Sequence, residues 1–166
     1  MLRFSKSQIG FIKDSIGSFN HPELLQVEGI YSTEFNWNNG LSIAQMVSSI
    51  SSIEQTTNSY SLSKQTAKLL TSVQSLGNVS DPIIAFIFVS NTSDAALAGA
   101  DRYISQLKNV EITFILLGMD TLNSMDLSVT QLAKFSRKIV RWYIVNEYNY
   151  PIFYPEDYGC KLFVIN

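Results

Sequence analysis

The polar residues best suited to chemistry follow two apolar segments of the chain. Ser90, Asn91 and Asp94 come directly after the apolar run 83–89, and Asp120 comes shortly after a second apolar run. If both runs are parallel strands, their carboxyl ends meet at one edge of a sheet, which is where α/β domains bind ligands. These side chains are therefore candidate ligand contacts.

Each of these residues also has a purely structural interpretation. Asp94 suits the first turn of a helix, where a carboxylate interacts favourably with the helix dipole, and Thr92 or Ser93 can cap that helix. Asp120 could be a loop residue with no functional role. Because no histidine or lysine stands beside these acids in the sequence, we assign no acid–base mechanism to them.

Catalytic signatures are missing from the sequence. It contains no Gly-x-Ser-x-Gly elbow and no glycine-rich phosphate loop of the GxxxxGK[ST] or GxGxxG type, so neither a serine hydrolase nor a nucleotide site is indicated. The one histidine, His21, and the one cysteine, Cys160, are far apart in the chain, so a Cys–His nucleophile is not indicated either. We expect a protein that is not an enzyme.

The composition is that of an ordinary single-domain globular protein. The chain has 166 residues, of which 46% are apolar and 16% charged, enough apolar surface to bury a core. A net charge of −2 gives no broad positive field, so nucleic acid is not an expected partner. The longest apolar run, 83–89, is too short to span a membrane, and residues 1–10 show no secretory signal.

Apolar spacing predicts the elements that must position the polar residues. Steps of three and four predict five amphipathic helices, which cover 9–19, 43–53, 62–76, 97–107 and 132–142. Alternating or continuous apolar runs predict strands at 24–32, 35–37, 83–89, 110–117, 152–154 and 162–165. The tightest basic group has the spacing of one solvated helix face; its members are Lys134, Arg137, Lys138 and Arg141.

The order strand–helix–strand over residues 83–117 predicts a parallel crossover. Helices must then cover both faces of the sheet. The predicted fold class is α/β, a three-layer Rossmann-like sandwich with a mostly parallel central sheet flanked by helices. We find no linker or internal repeat, so residues 1–166 are expected to form a single domain.

Three segments together resemble the von Willebrand factor type A domain family, which has a Rossmann-like fold. Residues 83–118 are similar to a family strand, its Thr-Asp-Gly-like turn, a helix and the next strand. Residues 56–70 resemble the family's threonine loop and the helix after it, and residues 26–35 resemble its second strand. The ordered set covers most of the chain.

This resemblance implies a metal-ion-dependent adhesion site, with Mg²⁺ bound by an Asp-x-Ser-x-Ser motif, a loop threonine and an aspartate. Thr56 or Thr57 matches the threonine, but Asn91 stands where the aspartate should be, and the Asp-x-Ser-x-Ser motif is absent. Because an amide oxygen is a weaker Mg²⁺ ligand than a carboxylate, we expect a degenerate or absent site and no cofactor. The alternative is a working Mg²⁺ site with Thr57 and Asn91 as ligands.

The family's first strand, the centre of its sheet, has no counterpart before the first predicted helix. Without it the neighbouring strands would carry unpaired backbone groups. Three explanations remain open: the chain is truncated at its N-terminus, another chain supplies the strand, or the apolar segment Lys161–Ile165 takes its place.

The resemblance implies a non-enzymatic protein-interaction or adhesion domain. A protein partner would bind at the carboxyl edge of the sheet, with Thr56, Thr57, Ser90, Asn91, Asp94 and Asp120 as candidates. The alternative function is a small-ligand-binding or enzymatic doubly wound domain that uses the same edge. An extracellular location follows from the resemblance alone; glycosylation patterns at Asn78 and Asn91 permit it. The oligomeric state is left open.

Overall fold

The structure, a computed structural model, describes residues 2–19, 21–29, 33–37, 40–53, 59–77, 82–117, 122–142 and 161–165. Its helices are α1 (Leu2–Ser18), α2 (Ile43–Ser51), α3 (Leu62–Ser75), α4 (Asp94–Leu97), α5 (Asp101–Ile104) and α6 (Leu122–Leu132). Its strands are β1 (Leu25–Glu28), β2 (Thr33–Phe35), β3 (Ile83–Val89), β4 (Val110–Leu117), β5 (Lys138–Trp142) and β6 (Lys161–Ile165).

The described strands form one sheet in the order β2-β1-β6-β3-β4-β5. All neighbours are parallel except β1 and β2, which pair antiparallel. The predicted parallel pair is confirmed, since β3 and β4 are in register from Ile83 opposite Val110 to Val89 opposite Leu116. The protein is thus a mixed α/β structure with a parallel sheet flanked by helices.

The segment Lys161–Ile165 lies in the middle of this sheet, as the third of the three explanations predicted. Leu162 is paired with Leu25 of β1 on one side and with Ile84 of β3 on the other. Within the described strands, β6 is what joins the β2-β1 pair to the β3-β4-β5 half.

Both faces of β3 are buried, which explains why its sequence is apolar without alternation. Ile83, Ala85, Ile87 and Val89 belong to one apolar cluster, to which α3 and α6 also contribute. Ile84, Phe86 and Phe88 belong to a second cluster, with side chains of α1 and α2. Successive strand residues point to opposite faces, so each face has its own core.

The predicted helix over 132–142 was wrong. The helix α6 ends at Leu132, a turn follows, and residues 138–142 form β5, with Lys138 paired to Thr113 of β4. Three residues apart on a strand, Ile139 and Trp142 point to opposite faces, and they pack against different clusters. Spacing alone could not separate this from a helical stripe.

The basic group is therefore not a helix face. Lys134 and Arg137 lie in the turn before β5, while Lys138 and Arg141 lie on β5 itself. All four are exposed.

The predicted helix over 97–107 was also wrong, because it is interrupted. The helix α4 ends at Leu97, Gly99 has a φ of +73°, and α5 begins at Asp101. A left-handed residue ends a right-handed helix. The apolar spacing still holds, since Leu97, Ala100 and Leu107 are all buried on the same side of the sheet, but two short helices carry it.

Candidate functional site

The residues after β3 form a polar loop at the carboxyl edge of the sheet. Ser90 and Asn91 are exposed, Thr92 is buried, and Asp94 is exposed in the first turn of α4. The position of Asp94 is the one that its structural interpretation predicted.

Side-chain hydrogen bonds fix the shape of this loop. The amide oxygen Oδ1 of Asn91 accepts a hydrogen bond from the backbone N–H of Ser93 at 2.8 Å. The Ser93 hydroxyl accepts one from the N–H of Ala96 at 3.4 Å and caps α4, so the predicted cap is confirmed for Ser93. The Thr92 hydroxyl bonds the Ser128 hydroxyl at 2.8 Å, which ties the loop to α6.

The amino end of α3 lies beside the same edge. Ser61 caps this helix by accepting a hydrogen bond from the N–H of Lys64. Gln65 is buried, and its Nε2 donates to the carbonyl of Phe88 near the end of β3, at 3.5 Å. The Ser63 hydroxyl donates to the carbonyl of Gly99 at 3.4 Å. The amino end of α3 thus holds the backbone at Phe88 and at Gly99, on either side of the loop after β3 and of α4.

Tyr60, directly before this cap, has its hydroxyl oxygen enclosed by protein. Within the described residues this oxygen has no hydrogen-bond partner. Burial raises the pKa of the Tyr60 hydroxyl because a charged phenolate would lose its hydration there. This residue therefore stays neutral.

Three of the six predicted site residues are described, namely Ser90, Asn91 and Asp94, and the structure brings these three together in one loop. The other three, Thr56, Thr57 and Asp120, lie outside the described residues. Their roles at this edge stay predictions.

The described oxygen donors do not fit a Mg²⁺ ion. Asn91 offers a neutral amide oxygen that already accepts a hydrogen bond, and Ser90 offers a hydroxyl. The loop adds one carboxylate, that of Asp94, whereas Mg²⁺ is usually bound through carboxylates or phosphates in a strict octahedron. Among the described residues there is no group of three or more His, Cys, Asp or Glu side chains placed to hold a metal.

A buried polar cluster between β1 and α3 was not predicted. Glu28 is 2% exposed, and its Oε1 accepts hydrogen bonds from the Ser72 hydroxyl at 2.8 Å and from Nε2 of Gln26. Nζ of Lys68 lies 3.6 Å from Glu28 Oε2 and donates to the Gly29 carbonyl at 2.7 Å. Glutamine and glutamate are mostly exposed in proteins, whereas Gln26 and Glu28 are both buried.

These polar residues of β1 can be buried because the helix α3 offers them polar side chains. Ser72 and Gln65, on the sheet-facing side of α3, are both buried. Their serine and glutamine identities gave no sign of burial, because such residues are mostly exposed in proteins. Their burial could have been predicted only by matching the polar positions of α3 with the polar positions of β1.

The histidine lies at the opposite edge of the sheet. His21 precedes β1, which runs parallel to β6 and through it to β3, so it is at the amino edge and Ser90 is at the carboxyl edge. Its Nδ1 is 2.9 Å from Oε1 of Glu23, and both side chains are largely exposed. The pKa of Glu23 is lowered, first by a backbone hydrogen bond and then by the hydrogen bond with His21.

Comparisons with known proteins give no family for this chain. No protein-family model, no curated protein and no solved structure matches it. Among the described residues, no helix combines the length and the apolar character that a membrane span requires. The topology of the sheet and the geometry of its carboxyl edge are therefore the features from which a function can be inferred.

Proposed function

We propose that this chain is a von Willebrand factor A-like, non-enzymatic interaction domain that binds a partner protein through the loops at the carboxyl edge of its sheet. The observation that carries the proposal is the central position of β6, between β1 and β3. In the family that chain segments 26–35, 56–70 and 83–118 resemble, the strand at the centre of the sheet is the first one. The central position of β6 in this sheet supports the proposal.

The strand order supports a doubly wound α/β fold. If β6 is counted as the first strand and the others follow in chain order, the sheet reads 3-2-1-4-5-6. This is the order of the doubly wound fold, in which ligands bind outside the carboxyl ends where the order reverses. Together with apolar clusters on both faces, this order supports the proposal of a three-layer Rossmann-like sandwich. The reversal falls between β6 and β3, whose carboxyl end leads into Ser90.

The loop after β3 has the properties of a preformed polar contact surface. Ser90, Asn91 and Asp94 are exposed, while hydrogen bonds of Asn91, Thr92 and Ser93 hold the backbone. A loop that is ordered before binding loses less conformational entropy when a partner docks. Because the chain's one histidine lies at the other edge, the site has the groups for recognition and lacks an imidazole for catalysis.

Site-specific photocrosslinking tests this proposal. The full chain would carry p-benzoyl-phenylalanine in place of Ser90, and a matched chain would carry it in place of Asn109, which is exposed at the amino edge before β4. In an extract of the source cells, we expect a discrete crosslinked protein from the Ser90 position alone. Adding Asp94→Arg should remove that product.

Crosslinking of the same proteins from both positions would contradict the proposal, because the carboxyl edge would then have no preference. A discrete product from the Asn109 position alone would also contradict it. Circular dichroism of each labelled chain serves as the folding control.

The proposed metal site is degenerate, and titration calorimetry with Mn²⁺ tests this. We expect no saturable heat from the native chain, because the loop after β3 supplies one carboxylate. Asn91→Asp places a second carboxylate in this loop and should create or strengthen Mn²⁺ binding if the loop keeps the family's site geometry. Saturable binding to the native chain that Thr57→Ala abolishes would show a working site.

A further inference from the structure

An open cavity of about 370 Å³ lies at the amino edge of the sheet, opposite to the loop after β3. It is bordered by the end of α5, by the first residues of β4 and by the turn that leads into β5. Ligand pockets in proteins have volumes of about 300–1,000 Å³. This cavity is at the lower end of that range, so it suits a small molecule.

The floor of the cavity is apolar. Leu107 and Ile112 are buried in the core on this side of the sheet. Ile104, Val110 and Phe135 pack against that core and stay partly exposed. Covering such side chains removes apolar surface from water, which favours a ligand with an apolar body.

Hydrogen bonds hold two walls of the cavity in place. On one wall, the N–H of Val110 donates to the carbonyl of Leu107 at 3.1 Å and closes the turn between α5 and β4. On the other wall, the Ser136 hydroxyl donates to the carbonyl of Ile112 at 2.6 Å and accepts a hydrogen bond from the N–H of Lys138 at 3.1 Å. A cavity that is formed before binding loses less conformational entropy when a ligand enters.

The charged groups around the cavity favour an anion. Arg137 lines it, is exposed, and forms no hydrogen bond or ion pair within the described part of the chain. The acid in the lining, Glu111, is already paired with Lys138. Two more exposed cations lie in the bordering turns, Lys108 before β4 and Lys134 before β5. Because the whole chain has a net charge of −2, this is a local excess of positive charge.

We propose that this cavity binds a small carboxylic acid with an apolar body. The carboxylate pairs with the Arg137 guanidinium, whose planar set of N–H groups matches two carboxylate oxygens, and the apolar body covers Ile104 and Phe135. A nucleic acid is not favoured, because a phosphate backbone makes no use of an apolar floor. The cavity and the proposed partner surface lie at opposite edges of the sheet, so either proposal can fail without the other.

A ligand titration followed by amide NMR spectra of the isotope-labelled full chain tests this proposal. The probe is phenylbutyrate, and two matched compounds each lack one part of it: phenylbutanol lacks the carboxylate, and acetate lacks the apolar body. We expect phenylbutyrate to bind with a Kd of about 1 mM and each matched compound to bind at least about fivefold more weakly. The amide signals that shift should belong to residues of the cavity, such as Ile104, Val110 and Ser136.

Two charge-neutralising variants provide the matched comparison. Arg137→Gln removes the guanidinium and should weaken phenylbutyrate binding by about fivefold or more, while phenylbutanol binding stays unchanged. Lys13→Gln removes a positive charge from α1, which packs on the opposite face of the sheet, and should change either affinity by less than about twofold. Neither residue is buried, so the folded state should tolerate both substitutions.

A third variant changes the apolar floor. Ile104→Phe narrows the cavity and should weaken phenylbutyrate and phenylbutanol by similar factors, with urea unfolding of each variant as the folding control. The absence of phenylbutyrate binding would overturn the proposal, as would equal losses in Arg137→Gln and Lys13→Gln. Equal binding of acetate and phenylbutyrate would also overturn it, because the surface would then recognise charge alone. Signal shifts centred on the loop after β3 would place the ligand at the other edge and exclude this cavity.

Discussion

Glu28 is a charged residue held inside the protein by polar contacts from β1 and α3. The Ser72 hydroxyl and the Gln26 amide donate hydrogen bonds to one carboxylate oxygen, and the Lys68 ammonium lies 3.6 Å from the other. A buried charge is tolerated only when such partners compensate for its lost hydration. Glu28 and Lys68 should therefore be sensitive to changes that look mild in sequence.

Lys68→Met tests the importance of the ion pair. It keeps the unbranched, flexible shape of the side chain but removes the charge that compensates Glu28, so we expect a loss of about 3 kcal/mol in the free energy of unfolding. The matched control is Lys108→Met, at an exposed lysine in the turn before β4, which should change stability by less than about 0.5 kcal/mol. Urea unfolding measures both, and equal effects would show that Glu28 does not depend on Lys68.

Single residues were predicted well where their role is local and poorly where it depends on distant partners. The Ser93 cap and the first-turn position of Asp94 follow from neighbours within a few residues. The burial of Glu28 depends on Ser72, forty-four residues away, and no local pattern contains that contact. The same limit applies to the candidate site, because its described half was predicted from a strand end and its contact with α6 through Ser128 was not.

The elements between β3 and β4 depend on a glycine with a left-handed backbone. Gly99 has a φ of +73°, and a Cβ there would lie 3.6 Å from the Ser63 hydroxyl, which is an ordinary contact. Any cost of a side chain would therefore come from the backbone conformation and not from a clash. The break between α4 and α5 would be strained by any other residue.

Gly99→Ala should lower the free energy of unfolding by about 1 kcal/mol, because an L-residue is disfavoured in this conformation. Gly17→Ala is the matched control, since Gly17 is exposed in the last turn of α1 with no atom near its Cβ position. It should raise stability by about 0.5 kcal/mol, since alanine favours helix. Thermal unfolding measures both, and the expected signs are opposite.

The bounds of a strand were predicted to the residue where its apolar spacing fits one kind of element. The prediction was wrong where the spacing fits both a helix and a strand. The strands β3 and β4 have the predicted bounds, because short apolar segments rich in β-branched and aromatic residues favour strands. The spacing of Leu132, Phe135, Ile139 and Trp142 fits one helix face. The same spacing also fits the end of a helix followed by a strand that lies between two cores. The tertiary structure has this second arrangement.

At the scale of the whole molecule, β6 makes the sheet continuous. Val164 is opposite Val27 of β1 and Phe86 of β3, so each residue of this strand has neighbours on both sides. The apolar character of Lys161–Ile165 indicated a strand, but its position in the centre was only one of three open explanations. Sequence patterns predict that strands exist; they carry little information about strand order.

A proline in β6 should be more damaging than a proline in β5. Val164→Pro removes a backbone N–H from a central strand, where proline is essentially not found. The strand β5 is the last one in the described part of the sheet, and prolines at Ile139 and Val140 provide the comparison there, because one of these two N–H groups faces away from β4. We expect the milder of the two β5 variants to unfold at a clearly higher denaturant concentration than Val164→Pro, and equal midpoints would contradict a central role for β6.

The central position of β6 also affects when the sheet can form during synthesis of the chain. The residues of β1 and β3 are synthesised well before Lys161, and chains grow at roughly 5–20 residues per second. During that interval both strands present bare edges and apolar surface to the cytosol or to a translocation pore. The nascent chain should therefore depend on chaperones until β6 has been synthesised. Stalling of translation just before Lys161 should leave a protease-sensitive, aggregation-prone product.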